Sequence, residues 1–295
     1  MFIFKTDIAS EARRHHGDEL PGVTLGKIDF GGISGETVSV TNEESSRILE
    51  KPVGIYTTLD VSSLSDPAQN TFSLCANAVA ETVAKLLPPP GRNTPILAVG
   101  LGNRKITSDA LGPDTAEGII ATRHLSKELS ESFGKLTPVA VFAPGVLGTT
   151  GIESGEAVLA LVNRLRPGVC VLIDALASSD HRGLCRSIQI SNTGISPGSG
   201  VANHRFEISE KTLGIPCISV GVPTVVEAGT LVSSVARKHG LTEEEFNFDA
   251  DADSLYLTPK DIDRLSPLCA RAISFGLNLA FQPNLTPSDI EALLS

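Results

Sequence analysis

The apolar run Ile96-Leu97-Ala98-Val99 breaks off at Gly100-Leu101-Gly102-Asn103, and this abrupt end constrains the chain more than any other feature. Apolar residues without alternation, bounded by turn-forming residues, suit a strand buried on both faces, as in a parallel sheet. A loop with Thr107, Ser108 and Asp109 follows, then Ala110-Leu111-Gly112-Pro113. Pro113 suits the first turn of a helix, where its missing N–H costs little, so a helix is expected from about Pro113 to Leu129. Asp109 then lies between a strand end and a helix start. A second apolar run, Val169 to Ile173, ends in Asp174-Ala175-Leu176-Ala177-Ser178. Open parallel sheets bind and react at the carboxyl ends of their strands. Both aspartates are therefore expected at one sheet edge, where two carboxylates can share a proton and act as acid and base.

The surrounding pattern extends this sheet. After 96–101 come a helix, a strand at 139–142, a helix at 156–165 and the strand at 169–173, an alternation that builds a parallel sheet covered on both faces. Further strands are expected at 186–190 and 217–220, and helices at 225–238, 259–280 and 287–294. Before the sheet, 72–87 carries apolar residues at helical spacing and is stopped by Pro88-Pro89-Pro90-Gly91. Earlier still, Val23–Leu25, Thr37–Val40 and Gly54–Leu59 read as short antiparallel strands. The expected fold is α/β: a three-layer sandwich with a mostly parallel sheet, phosphorylase/hydrolase-like, with an added N-terminal β-rich portion. Residues 8–295 are taken as one domain, with 8–90 the β-rich portion and 91–295 the α/β core with C-terminal helices. Phe246 to Asp253 is acidic and expected as an exposed loop.

Composition narrows the function. With 24 basic and 34 acidic residues the net charge is −10. That does not favour binding to nucleic acid or an anionic membrane, and it suits a basic protein as substrate. Five cysteines, with no C-x-x-C pair, suit reduced thiols in a cytosol. No run reaches the ~18 apolar residues that span a membrane. No cofactor and no metal is expected.

Each motif also has a plainer reading. Asp109 can serve as a loop aspartate bonding local N–H groups. Asp174 follows five apolar residues, and a buried charge is costly unless paired or protonated. Gly100-Leu101-Gly102 is half of a dinucleotide fingerprint but lacks the third glycine. Gly194-Ile195-Ser196-Pro197-Gly198 matches the serine-hydrolase elbow in letters, yet no helix opens after Ser196. A flexible loop fits better, and its Gly198 and Gly200 would let a substrate backbone come close, as would Gly148 within Gly145–Gly155. The first twenty residues read as a frayed terminus or as a helix start with acids in its first turn.

These motifs together resemble the germination proteases of spore-forming bacteria. The likeness rests on Val99-Gly100-Leu101-Gly102-Asn103, Thr107-x-Asp109-Ala110-Leu111-Gly112-Pro113, Pro144 to Glu153, Ile173-Asp174-Ala175-Leu176-Ala177 and Gly194 to Gly200, in one order, and runs from about Thr6 to the last helices. The resemblance implies an endopeptidase, a homotetramer in the spore cytosol, that degrades small acid-soluble spore proteins during germination. It implies Asp109 and Asp174 as the catalytic pair, in aspartic-type hydrolysis without a covalent intermediate. It also implies a zymogen that removes its own N-terminal segment. The family cuts its substrates after an acidic residue in a Glu-Phe/Ile-Ala-Ser-Glu context, and Asp7-Ile8-Ala9-Ser10-Glu11 is similar to it. Residues 1–7 are then a propeptide, cut between Asp7 and Ile8. A more distant likeness is to the hydrogenase maturation endopeptidases, where the equivalent acids bind nickel with a histidine. No histidine stands in a comparable motif here, His124 and His204 being the nearest, and two carboxylates alone make a poor transition-metal site. A metal-dependent maturation-type peptidase and a non-catalytic ligand-binding module on the same fold are the alternatives.

Overall fold

The computed structural model describes residues 5–16, 20–66, 71–89, 94–125, 136–195, 206–240 and 255–294. The described chain begins with helix α1 (Ala9–His15), then strands β1 (Val23–Asp29) and β2 (Ser34–Val40), helix α2 (Glu43–Leu49) and strand β3 (Gly54–Asp60). Helix α3 (Phe72–Leu86) follows. The α/β section is β4 (Ile96–Gly100), α4 (Leu111–Glu117), β5 (Val139–Phe142), α5 (Leu147–Thr150), α6 (Ser154–Leu165) and β6 (Val169–Ser178). It continues with β7 (Ser187–Ser191), α7 (Glu210–Leu213), β8 (Cys217–Glu227), α8 (Ala228–Lys238), β9 (Tyr256–Leu257), α9 (Ile262–Phe281) and α10 (Pro287–Leu294).

All these strands join one open sheet in the order β1-β2-β3-β7-β8-β6-β4-β5, with β9 on β8. The alternating residues of the central strands serve two cores. Ile96 and Ala98 of β4, Val169, Val171 and Ile173 of β6, and Ile218 and Val220 of β8 pack with α3 and α9. Leu97, Val99, Cys170, Leu172 and Cys217 pack on the other face with Val158 and Val162 of α6 and Leu213 of α7. That is why these strands show no polar alternation, and it makes the three layers expected from the sequence.

The sheet is mixed, and its parallel part is confined to β5, β4, β6 and β8. β7 runs antiparallel to β8 and to β3, and β1, β2 and β3 pair antiparallel beyond it. Between β6 and β7 lies only a short connection at 179–186, holding one 3₁₀ turn at His181–Gly183, and a parallel return needs a longer crossover. The early β-rich strands thus continue the main sheet through β3 and β7.

Several elements differ from their expected lengths: β8, expected over 217–220, runs to Glu227, so the helix expected from 225 starts at Ala228. The helix begun by Leu111 ends at Glu117, because Gly118 abuts α9: a Cβ there would lie 2.5 Å from Ser274 Oγ. Pro113 falls in its first turn, as expected. β6 does not stop before Asp174 but runs to Ser178, because β8 runs beside it to Val226, with one register shift between Leu176 and Ala177. The loop expected at Phe246–Asp253 lies outside the described residues.

Candidate active site

The geometry is set by close backbone contacts. Leu101 N–H donates to Ile173 O at 2.8 Å, tying the end of β4 to β6 just before Asp174. A Cβ on Gly112 would lie 2.1 Å from Leu101 O and 2.6 Å from Ile173 O, so only glycine lets α4 start against both strand ends. Gly100 meets Gly112 in the same way, its Cβ position 2.1 Å from Gly112 O. The glycines of the half-fingerprint therefore serve helix–strand contact. Gly102 has φ +116°, and a Cβ there would lie 2.2 Å from Asp109 O. The chain folds back at that point, and Asp109 Oδ2 accepts from Asn103 N–H at 2.8 Å. Asp109 ends a short 3₁₀ turn, Thr107–Asp109, and is half-buried. From β8, Thr224 Oγ1 donates to Ser108 O at 2.6 Å and fixes that turn. Asp174 is 8% exposed, and its Oδ1 accepts from Ala175 N–H at 2.9 Å.

Both aspartates line one cleft of about 610 Å³. Leu101, Gly102, Val146, Ser154 and Gly221 line it from the parallel half, and Lys51, Tyr56, Gln189 and Ser191 from the antiparallel half. Asp7 lines it too. Gly148, expected at the substrate, is exposed in α5, two residues from Val146, and is not itself a lining residue. Gly198 and Gly200 lie outside the described residues, as do Ser196 and His204. His124 is exposed. Among the described residues no three of His, Cys, Asp and Glu group as a metal site.

The N-terminal segment is bound into the body. Asp7 N–H donates to Ala177 O at 2.8 Å, and Ala177 N–H donates to Asp7 Oδ2 at 2.8 Å. Gln189 bridges the next residues: its Nε2 donates to Asp7 O at 3.0 Å and its Oε1 accepts from Ala9 N–H at 2.7 Å. Ile8 and Ala9 are buried. Glu11, in the first turn of α1, is buried and accepts from Ser178 Oγ at 2.7 Å, Ser179 N–H at 2.7 Å and Thr6 Oγ1 at 2.6 Å. Lys5 pairs with Glu227 at 2.7 Å. These hydrogen bonds satisfy the buried carboxyl group and anchor the segment on the C-terminal part of β6.

Lys51 and Gln189 were not singled out in the sequence. Gln189 has a faint signal, a polar residue between the buried Ile188 and Ile190. Lys51 has none. Burial pulls its pKa below the ordinary lysine value, against the attraction of Asp7, then Glu50, then Glu11. Burial raises the Tyr56 hydroxyl well above its ordinary value, and its O–H donates to Pro52 O at 2.7 Å.

The sheet edge thus offers two carboxylates to a cleft that the chain's own peptide also lines. Comparison with known proteins gives the class. The family model described as germination protease matches residues 4–240. The germination protease of Clostridium perfringens strain SM101 is 36% identical, with 100% of both chains covered. That of Caldanaerobacter subterraneus is 37% identical over 98% of each. That of Bacillus subtilis is 37% identical, over 79% of this chain and 66% of its own. Among solved structures, a NiFe hydrogenase maturation protease from Thermococcus kodakarensis matches at 17% identity and a TM-score of 0.33, over 65% of this chain and 98% of its own. The chain belongs to the germination protease family, and it is an endopeptidase of spore germination.

Proposed function

We propose that this endopeptidase is made as a zymogen, removes residues 1–7 by cutting between Asp7 and Ile8, and then degrades small acid-soluble spore proteins with Asp109 and Asp174. The observation that carries the reading is that Asp109, Asp174 and Asp7 line one cleft. One aspartate, ionised, takes a proton from water as the water oxygen attacks the scissile carbonyl carbon. The other, protonated, polarises the carbonyl and then protonates the leaving amine. The two roles are assigned to the pair rather than to one residue. A segment tethered beside the cleft has a high effective concentration there, which favours its own processing. The glycines Gly148, Gly198 and Gly200 belong to this reading as substrate contacts, and so do a homotetramer and the spore cytosol as its setting.

The test is to incubate the purified protein with a small acid-soluble spore protein, with and without EDTA, and to sequence its own new N-terminus. Cleavage in both conditions and a product beginning Ile8-Ala9-Ser10 are expected. Cleavage abolished by EDTA and restored by one divalent ion would replace the aspartate pair with a metal-dependent reaction. A new terminus elsewhere would remove the processing site, and intact substrate in both conditions would leave a binding module.

A further inference from the structure

We propose that Lys51, with the N–H of Ala177, forms the subsite that selects an acidic side chain immediately before the bond to be cut. The proposal rests on the peptidase reading above. It begins with an edge left open in the sheet. β4 ends at Gly100, opposite Ile173, while β6 continues to Ser178 with β8 on its other side. Ile173 O faces β4, since it takes the Leu101 N–H. By the alternation of a strand, the backbone groups of Ala175 and Ala177 face the same way, along the edge that β4 has left. An extended peptide can add to such an edge, its main chain supplying hydrogen bonds and its side chains entering subsites.

The chain's own segment shows what this edge accepts. The bond from Asp7 N–H to Ala177 O is one that almost any residue can make. The return bond is not: Ala177 N–H is taken by Asp7 Oδ2 at 2.8 Å, so a side-chain carboxylate stands where a backbone carbonyl would complete a ladder. Lys51 lies beside it. Its Nζ donates to Thr6 O at 2.9 Å and to Glu50 O at 3.4 Å, and of the nearby carboxylates Asp7 attracts it most strongly. An ammonium withdrawn from water is costly unless an anion is near. A neutral side chain in the place of Asp7 would leave both the ammonium and the Ala177 N–H poorly matched, which is how a site built for a polar group rejects its analogue. Gln189 sets the register by holding Asp7 O and Ala9 N–H, so that side chain and scissile carbonyl are placed together. Lys51 is on this view a specificity residue, while Asp109 and Asp174 do the chemistry.

The test uses full-length wild type, K51M and K51R after self-processing. The substrates are two peptides ending Ile-Ala-Ser-Glu that differ only in Asp or Asn before the cut. Wild type and K51R should prefer the Asp peptide by about 10- to 100-fold in kcat/KM, the range for hydrogen bonds to charged groups. K51M should lose that preference, with KM for the Asp peptide raised to the level of KM for the Asn peptide and kcat unmoved. A preference intact in K51M overturns the proposal. Denaturant midpoints of wild type, D7N, K51M and the double variant give a reading that needs no cleavage. A double variant shifted by less than the sum of the single shifts supports the pairing, and additive shifts overturn it. Less-than-additive shifts in a protein that cuts neither peptide would overturn the peptidase reading and uphold the pairing.

Discussion

The two halves of the sheet are built differently. In the parallel half each residue of β4 is buried, and β6 is buried along nearly all of its length between two helical layers. In the antiparallel half β1 is largely exposed, and Leu25 and Ile55 stand at 48% and 41% exposure. A small core of Ala9, Ala12, Val38, Val40, Leu49 and Tyr56 covers one face of β2 and β3 under α1 and α2. The aspartates come from the half where backbone contacts leave little freedom, as reacting groups require. Lys51, Tyr56 and Gln189 come from the antiparallel half. On the proposed function, chemistry and recognition meet at the seam between β7 and β8.

The largest effect that would test this division falls on the aspartates. Asp109→Asn and Asp174→Asn should each keep the fold and lower kcat by about 10²- to 10⁴-fold, the usual contribution of a general acid or base. Each should leave KM for a peptide close to that of wild type, since Lys51 and the Ala177 N–H, the groups proposed to bind the side chain, are untouched. The measurement is kcat and KM for one peptide across the three proteins. Full activity in either variant would take that residue out of the chemistry, and a change confined to KM would break the division itself.

The parallel half was legible in the sequence and the seam was not. The unalternating apolar runs at Ile96 and Val169 announced strands buried on both faces, and the aspartates after them pointed to the edge where the cleft lies. Asp174 also misled: a carboxylate after five apolar residues reads as a strand end, yet the strand runs on. Its backbone is paired with Gly221 and its carboxylate takes a local N–H, facts that depend on a strand some forty residues away. The antiparallel strands were legible from their β-branched residues, but not their place in the sheet, because β7 joins two segments far apart in sequence. The likeness of Asp7–Glu11 to a cleavage site was legible, whereas the burial of Glu11 depends on Ser178 and Ser179 beyond the end of the apolar run. Lys51 stands in an ordinary Glu-Lys-Pro turn and becomes distinctive only beside Asp7.

The next effect is on stability, and its source lies in the parallel half and the helices packed on it. All five cysteines, Cys75, Cys170, Cys185, Cys217 and Cys269, are buried thiols, and none lies in β1, β2 or β3. Burial pushes Cys75 up to about 11 and Cys185 and Cys217 up to about 12, with Cys170 and Cys269 raised further. In the unfolded chain a thiol titrates near ~8.5. Above that pH the unfolded state sheds protons that the native state keeps, so it binds fewer protons and stability falls as pH rises. The contribution is whole below about pH 8.5 and is lost as pH climbs toward the native values. One pH unit above the unfolded value costs about 1.4 kcal/mol per thiol. Melting temperatures should therefore drop between pH 8 and 10, and a thiol reagent should react only as the protein unfolds. Prompt reaction of the native protein at pH 8 would show a thiol outside the packed core.

The smallest effect separates a glycine the fold requires from one the substrate would require. Gly112 admits no Cβ, being surrounded by Leu101 and Ile173 backbone, so alanine there should disrupt the contact that sets the two aspartates. Gly148 is the opposite case. It is exposed in α5, no atom of the described residues outside its own helical turn lies within 4 Å of a Cβ placed on it, and its φ is one that other residues adopt. Gly148→Ala should leave stability unchanged or raise it by about 0.5 kcal/mol, since alanine restricts the unfolded chain. Any loss must then come from the substrate, whose backbone would meet the added methyl at the rim beside Val146. The expected result is a modest rise in KM for a small acid-soluble spore protein, with kcat and melting temperature unmoved. An unchanged KM would take Gly148 out of substrate contact and leave recognition to Lys51 and the edge of β6 at Ala177.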